Sequence, residues 1–236
     1  MTKTKTEVVA DQLRDQILSG RYKAGDRLPS ERELVERLGV HRGAVREGLR
    51  AVAQQGLIEI KAGGPRVRAL QNATLDIVGP LLELEDPPNA EMVRQLLEVH
   101  TGLSSLAVRL AVERADEPVL EKARSLLRQM ETERSDKAYF FMFYELVHHL
   151  IEASGNLVLQ LVRRGLRLRF LDQLRGSGIT VRPPQKLLAL FVRDLDRAIQ
   201  ERRAEDAAAL VHALLSTQRE TVVKQLEQMR SRGAQD

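Results

Sequence analysis

The apolar residues between Arg27 and Gly56 recur with the spacing of two short helices joined by a tight turn. Ser30 and Glu33 have the spacing of a capping box, in which the hydroxyl and the carboxylate each satisfy a backbone N–H at a helix start. Gly39 is the residue type that most easily ends a helix in the left-handed conformation. The second helix is predicted to turn an apolar face inward, formed by Val45, Leu49, Val52 and Ala53.

The opposite face of this second helix is polar and basic. Its exposed positions are predicted to be His41, Arg42, Gly43, Arg46 and Arg50. A helix that leads with arginines and small residues, after a helix and a short turn, is typical of a recognition helix that enters the DNA major groove. A helical hairpin in a protein core, with the same arginines merely solvated, is the alternative that this pattern leaves open.

The residues after this helix favour DNA binding. Residues 57–61 alternate between apolar and polar, 62–65 (Ala-Gly-Gly-Pro) form a turn, and 66–70 alternate again with two arginines. A β-hairpin with a basic return strand, directly after a recognition helix, is the wing of a winged helix. The first domain is therefore predicted to span residues 1–70, with three helices and this wing.

From residue 90 onward, every segment has the periodicity of a helix. Residues 71–89 are interpreted as a linker that carries a short helix and ends at the Asp-Pro-Pro-Asn stretch 86–89. Residues 90–231 are predicted to form an antiparallel bundle of about six helices. The fold class is thus mainly α, a winged helix-turn-helix followed by a helical bundle.

The charge is distributed unevenly between the two halves. Residues 1–70 contain 14 Lys/Arg and 9 Asp/Glu, whereas residues 71–236 contain 23 and 24. All of the positive excess therefore lies in the segment with the helix-turn-helix, where it can neutralise phosphates. The absence of cysteine excludes disulfides and thiolate sites. A polar N-terminus and short apolar runs indicate a cytoplasmic protein with no membrane partner.

The run ILSGRYKAGDRLPSERELVERLGVHRGAVREGLRAVAQQGLI, residues 17–58, resembles the winged-helix domain of the GntR family of bacterial transcription regulators. In that family, arginines at the positions of Arg32, Arg42 and Arg46 contact the operator. The resemblance implies that Arg42 and Arg32 read guanine edges, and that Arg46 contacts phosphate or base.

The resemblance also places other residues at the DNA. His41, Gly43 and Ala44 occupy positions where small hydroxyl residues are common in the family, so the operator sequence stays open. At the tip of the wing, Gly63 and Gly64 would let the backbone approach the minor groove.

The helical half resembles the ligand-binding domain of the FadR subfamily through MVRQLLEV (92–99), EASGN (152–156) and RAIQERRAEDAA (197–208). Many members of this subfamily bind a divalent cation through one Asp and three His. The corresponding positions here are all apolar: Phe143, Val147, Val192 and Leu214. The resemblance therefore implies a site without metal and a protein without a cofactor.

An apolar pocket would suit an acyl or other apolar ligand, and the fatty-acid regulator of the subfamily binds long-chain acyl-CoA. The predicted wall consists of Phe140, Phe143, Val147, Val192 and Leu214. The polar groups predicted to hold the head of the ligand are Arg94, His100, Tyr144 and Arg169. Plain core packing is the alternative for the aromatic cluster.

The sequence is compatible with several functional hypotheses. The first is a homodimeric regulator that binds a near-palindromic double-stranded operator and responds to a small-molecule effector, an acyl-CoA or an organic acid. A metal-dependent regulator would need a displaced site, built from His100, His148 and His212. A constitutive DNA-binding protein with a structural bundle is another alternative. An enzyme fused to a DNA-binding module is disfavoured, because no phosphate loop, nucleophile elbow or HExxH motif is present.

Overall fold

The computed structural model describes residues 3–165, 179 and 182–233. Two compact units divide the chain, Met1–Leu84 and Glu85–Asp236. Each unit has its own hydrophobic core. The predicted architecture, a winged helix-turn-helix followed by a helical bundle, is confirmed.

The N-terminal unit begins with the three predicted helices, α1 (Lys5–Leu18), α2 (Glu31–Leu38) and α3 (Arg42–Gln54). The predicted capping box of α2 is formed: Glu33 N donates to Ser30 Oγ at 3.3 Å, and Ser30 N donates to Glu33 Oε2 at 2.8 Å. Gly39 ends α2 with φ +63°, in the left-handed region that glycine adopts without a steric penalty. The turn between α2 and α3 is therefore set by local sequence.

The wing is a two-stranded antiparallel sheet of β1 (Ile58–Lys61) and β2 (Gly64–Val67), with Ile58 opposite Val67 and Lys61 opposite Gly64. The return strand begins two residues earlier than predicted. Gly64 makes this possible because its φ of +99° completes the tight turn inside the ladder. Residues 25–28 extend the sheet on the other side of β2, where Leu28 N donates to the carbonyl of Pro65 at 2.9 Å.

The segment predicted as a linker divides between the two units. Two 3₁₀ turns (Leu70–Asn72 and Leu75–Ile77) lead into α4 (Val78–Leu82). Ile77 is buried in the core of the N-terminal unit, and Thr74 N donates to the carbonyl of Gln55 at 2.9 Å. The prediction that residues 71–89 form a separate linker is therefore corrected: residues 71–84 belong to the N-terminal unit.

The described part of the C-terminal unit contains six helices, in agreement with the predicted bundle. They are α5 (Ala90–Arg114), α6 (Glu117–Thr132), α7 (Asp136–Ala153), α8 (Leu157–Gly165), α9 (Gln185–Gln200) and α10 (Ala204–Gly233). Tyr139, Leu127 and Leu195 are completely buried where these helices meet. Nowhere in the described ranges is a helix both long and apolar enough to cross a membrane.

Candidate nucleic-acid interface and ligand cavity

The orientation of α3 depends on a close contact with α1 at Gly48. A Cβ built on Gly48 would lie 2.5 Å from Cγ1 of Val9, which is shorter than any normal van der Waals contact. Val45 and Val52 are completely buried on the same face of α3. This packing directs the opposite face of α3 to solvent. The role of Gly48 was not recognised from the sequence, although a glycine inside a helix is a signal of close packing.

Arg42 and Arg46 lie on the solvent face of α3 and share one carboxylate. Their side chains are 74% and 58% exposed. The Nε atoms of Arg42 and Arg46 lie 3.4 Å and 3.6 Å from the two carboxylate oxygens of Glu31, the first residue of α2. Exposed ion pairs contribute little stability, so the effect of Glu31 is to orient the guanidinium groups. Sequence reasoning missed Glu31 because an acidic residue in a first helical turn is usually assigned to the helix dipole.

His41 serves as the N-cap of α3. Its Nδ1 accepts a hydrogen bond from the backbone N–H of Ala44 at 3.1 Å. Gly43 leaves room for the imidazole, since a Cβ at Gly43 would lie 3.3 Å from that nitrogen. His41 and Gly43 are exposed, whereas Ala44 is 1% exposed. The placement of Ala44 on the DNA face is therefore corrected: helical geometry turns its methyl group into the core.

The remaining predicted DNA-binding residues lie on α2 and on the wing. Arg32 is fully at the surface, with its Nε 3.9 Å from the carboxylate of Glu36. Gly63 is exposed at the tip of the wing. A Cβ at Gly64 would lie 3.2 Å from Nε of Arg27, so the backbone of the tip approaches a guanidinium.

The C-terminal unit contains a small apolar cavity bordered by three of the predicted pocket residues, Phe143, Val147 and Leu214. Its volume is about 20 Å³, which is room for about one water molecule. Among the described residues, Ser104 is the single polar residue of the lining, and its buried Oγ has no hydrogen-bond partner there. The rest of the lining consists of Ala107, Val108, Leu146, Leu150, Phe191, Leu195, Val211 and Leu215.

Other predicted ligand residues lie elsewhere. Phe140 and Val192 are buried but do not line this cavity. The Arg94 guanidinium lies 3.5 Å from Glu220 and 3.3 Å from Glu91. Arg94 does not line the cavity, and its role at the head of a ligand stays a prediction. Arg169 lies outside the described residues.

His100 and Tyr144 lie near Arg163, a residue that was not predicted as part of the site. Burial, together with the smaller effect of the positive charge of Arg163, lowers the pKa of His100 from 6.5 to about 4. The Tyr144 hydroxyl accepts a hydrogen bond from Nη1 of Arg163 at 3.2 Å. The hydrogen bond joins α7 to α8, and the electrostatic effect on His100 reaches α5, so the run of sequence around any one residue does not reveal them.

The displaced metal site is not assembled. His148 and His212 are exposed, whereas His100 is half-buried. Over the described ranges, no three His, Asp or Glu side chains lie close enough together to hold a metal ion.

Family profiles match both halves of the chain. The profile of bacterial regulatory proteins of the gntR family matches residues 5–67, and that of the FCD domain matches residues 95–217. The chain belongs to the GntR family. The protein is therefore a transcription regulator with a FadR-like C-terminal ligand-binding domain, and not an enzyme.

Individual relatives agree with this assignment. The HTH-type transcriptional regulator Mce2R of Mycobacterium tuberculosis is 31% identical over 177 residues, 74% of each chain. The fatty acid metabolism regulator protein of Erwinia tasmaniensis is 33% identical over 156 residues, 65% of this chain and 64% of that protein. The chain thus spans less than two thirds of this second relative.

Solved structures show the same fold at low sequence identity. A GntR regulator from Pseudomonas syringae has a TM-score of 0.51 and 23% identity, with 97% of this chain and 89% of that chain covered. Lar of Listeria monocytogenes has a TM-score of 0.56 and 16% identity, with 95% and 99% covered.

Proposed function

We propose that this regulator is a homodimer that reads a near-palindromic operator through α3, and that an apolar small molecule bound in its C-terminal unit changes the affinity for DNA. The observation that carries this proposal is the exposed pair of guanidinium groups, Arg42 and Arg46, held on one carboxylate at the leading face of α3. A guanidinium can donate two parallel hydrogen bonds to a guanine edge, which discriminates by about 1–3 kcal/mol.

Several residues complete the proposed DNA interface. Arg32, His41, Gly43, Gly63 and Gly64 lie in α2, at the start of α3 or in the wing. Ala44 is left out because its side chain is buried. A single winged helix reads too few base pairs to select one genomic site, and a two-fold pair doubles the length that is read.

The chemistry of the cavity supports an apolar effector. Phe143, Val147 and Leu214 replace metal ligands of the subfamily by hydrocarbon, and all three border the cavity. A relative that matches 65% of this chain is named a fatty acid metabolism regulator. Since the cavity holds only about 20 Å³, an acyl chain must open it. This opening is a route by which ligand binding shifts the conformational equilibrium.

DNA recognition is tested with a duplex selected from a random pool by the purified protein. Fluorescence anisotropy measures its affinity and that of a scrambled duplex over a range of salt concentrations. We expect Arg42→Ala to lower the preference for the selected duplex by roughly ten- to a hundredfold, while a salt-dependent, non-specific affinity remains. Arg193→Ala removes the same charge from an exposed site in the C-terminal unit and should keep the preference. An unchanged preference in Arg42→Ala would refute the assignment of α3.

The effector and the dimer are tested separately. Dodecanoyl-CoA, dodecanoate and a set of short organic acids are added to the full chain, and the melting temperature is recorded. A ligand that binds the folded state must raise this temperature. We expect the long-chain compounds to raise it and to change the affinity for the selected duplex; no response to any compound would favour a constitutive DNA-binding protein. Light scattering after size exclusion measures the mass of the particle, and a monomer would contradict the dimer.

A further inference from the structure

Arg163 is a half-buried cation without a carboxylate partner in the described part of the chain. Two of the five N–H groups of its guanidinium donate to acceptors that carry no negative charge, the Tyr144 hydroxyl at 3.2 Å and Nδ1 of His148 at 2.6 Å. The guanidinium also lies over the ring of Tyr144, 5.4 Å from its centroid. Glu152, one turn from His148, is 3.9 Å from the same Nδ1, but it is not within ion-pair distance of Arg163.

Among the described residues of this unit, the other arginines with intermediate exposure each have a carboxylate partner. Arg124, for example, lies 2.9 Å from Asp196, and Arg182 lies 3.6 Å from Asp136. A partly desolvated charge is costly unless an opposite charge compensates it. Arg163 is held in one orientation by two hydrogen bonds and a ring, and no carboxylate of the described residues compensates its charge, which leaves that charge for an external anion.

The position of this cation relates it to the cavity. Leu159 of α8 is buried against Ala107 of α5 and Ile151 of α7, so α8 packs over the groove between those two helices. Arg163 follows Leu159 by one helical turn. On α5, His100 lies one turn from Ser104, a residue of the cavity wall, and close enough to Arg163 for its pKa to respond to that charge.

Helix α7 likewise connects the cavity with Arg163. Phe143 and Val147 line the cavity, and the residues that follow them, Tyr144 and His148, contact Arg163. Successive residues on a helix point about 100° apart, so one side of α7 faces the cavity and the adjacent side faces the guanidinium.

We propose that Arg163, Tyr144 and His148 form a binding site for the anionic head group, a carboxylate or a phosphoryl group, of the effector whose apolar part occupies the cavity. The inference rests on the proposed effector function and adds the chemical class of the head group. Guanidinium groups form strong charge-assisted hydrogen bonds with both kinds of anion.

Matched ligands on the full-length protein test this site. Isothermal titration calorimetry compares dodecanoate, dodecyl phosphate and the neutral methyl dodecanoate on the wild type, Arg163→Gln and Arg164→Gln. Arg164 is the exposed neighbour of Arg163 on the same helix, so its substitution controls for the loss of charge. Arg163→Lys tests whether a positive charge at this position is enough for anion binding. Circular dichroism checks that each variant is folded.

We expect Arg163→Gln to bind at least one of the two anions roughly ten- to a hundredfold more weakly than the wild type, which corresponds to the loss of a hydrogen bond to a charged group. The anion that is affected identifies the head group. Methyl dodecanoate should bind both proteins equally, Arg164→Gln should resemble the wild type, and Arg163→Lys should retain part of the preference for anions.

Two results would overturn the anion site and leave the apolar effector intact. One is that the wild type binds the ester as tightly as both anions. The other is that Arg163→Gln lowers the affinity for all three ligands by the same factor. If no amphiphile binds, the proposed effector is wrong, and inorganic phosphate at constant ionic strength then decides the anion site. Phosphate should raise the melting temperature of the wild type and of Arg164→Gln more than that of Arg163→Gln, and equal shifts would refute the site.

Discussion

The two units of this regulator place their candidate binding groups in opposite ways. In the N-terminal unit, Glu31, Arg42 and Arg46 lie within two consecutive helices and project from a surface that packing and caps hold in place. In the C-terminal unit, the groups around Arg163 come from three helices, beside a cavity of about 20 Å³.

The difference follows from what each unit is proposed to bind. A DNA duplex is long and stiff, so a protein gains affinity by presenting donors that are already oriented. A flexible small molecule can be enclosed, and the energy of its binding can open a closed bundle. A surface fixed in advance therefore suits the N-terminal unit, and an interior that can adjust suits the C-terminal one. Each of the following predictions tests whether this division is real.

The largest effect is expected from a substitution in the core around the cavity. Leu195 is fully buried and lines the cavity, so Leu195→Ala should lower the free energy of unfolding of the C-terminal unit by about 2–5 kcal/mol. Leu190→Ala, on the exposed side of the same helix, should cost less than about 0.5 kcal/mol. Calorimetry of the full chain measures both. If the transition of the N-terminal unit moved by the same amount, the two cores would not be independent.

A smaller effect is expected in the N-terminal unit, where the substitution adds a methyl group to a packed contact. Gly48→Ala forces a methyl group against Val9, and we expect a loss of about 1–3 kcal/mol in the stability of this unit. Gly102→Ala is the matched control, since that helical glycine has open space around its Cα and alanine should stabilise α5 by roughly 0.5–1 kcal/mol. Thermal unfolding of both variants gives the signs. A Gly48→Ala variant that loses no stability would show that the contact between α1 and α3 does not limit the orientation of the recognition helix.

A dependence on pH should appear in the C-terminal unit. The pKa of His100 is about 4 in the folded protein because of burial, and its ordinary value is 6.5. Between these values the unfolded chain binds the proton first, so stability is full above pH 6.5 and falls towards pH 4 by up to about 1.4 kcal/mol per pH unit. Urea titrations from pH 4 to 7 measure this slope.

Two variants assign the slope to His100. His100→Gln should flatten it, whereas His212→Gln, at an exposed position, should leave it unchanged. A slope that persists without His100 would mean that other groups titrate in this range and that His100 is not the cause.

The smallest effect is expected at the carboxylate shared by the two arginines. Glu31→Gln releases Arg42 and Arg46 and removes a negative charge that repels phosphate. We expect the affinity for scrambled DNA to rise and the preference for the selected duplex to fall by less than about fivefold. Glu47→Gln changes the same charge on α3 beside Arg50 and should keep the preference. Anisotropy on both duplexes measures the ratio, and a preference that rises in Glu31→Gln would mean that Glu31 opposes recognition.

Much of the N-terminal unit was predictable, because its signals are local. The capping box of Ser30 and Glu33, the left-handed Gly39 and the apolar face of α3 each depend on residues within a few positions of one another. The start of β2 was placed too late because the φ of Gly64 has no signature in the letters alone. The burial of Ile77 in the N-terminal core was not predicted, because this core is built from segments that are distant in the sequence.

The sequence by itself determined the order of the helices and the basic face of the recognition helix, since each is a matter of residue type and spacing. Only the tertiary structure decided that Glu31 holds two arginines, that Gly48 sets the rotation of α3, and that Arg163 meets Tyr144 and His148. These contacts join residues up to 39 positions apart in the sequence, the separation of Val9 and Gly48. No local sequence pattern encodes such a contact. Packing brings these residues together, and the resulting arrangement of charges and close contacts exists only in the folded chain.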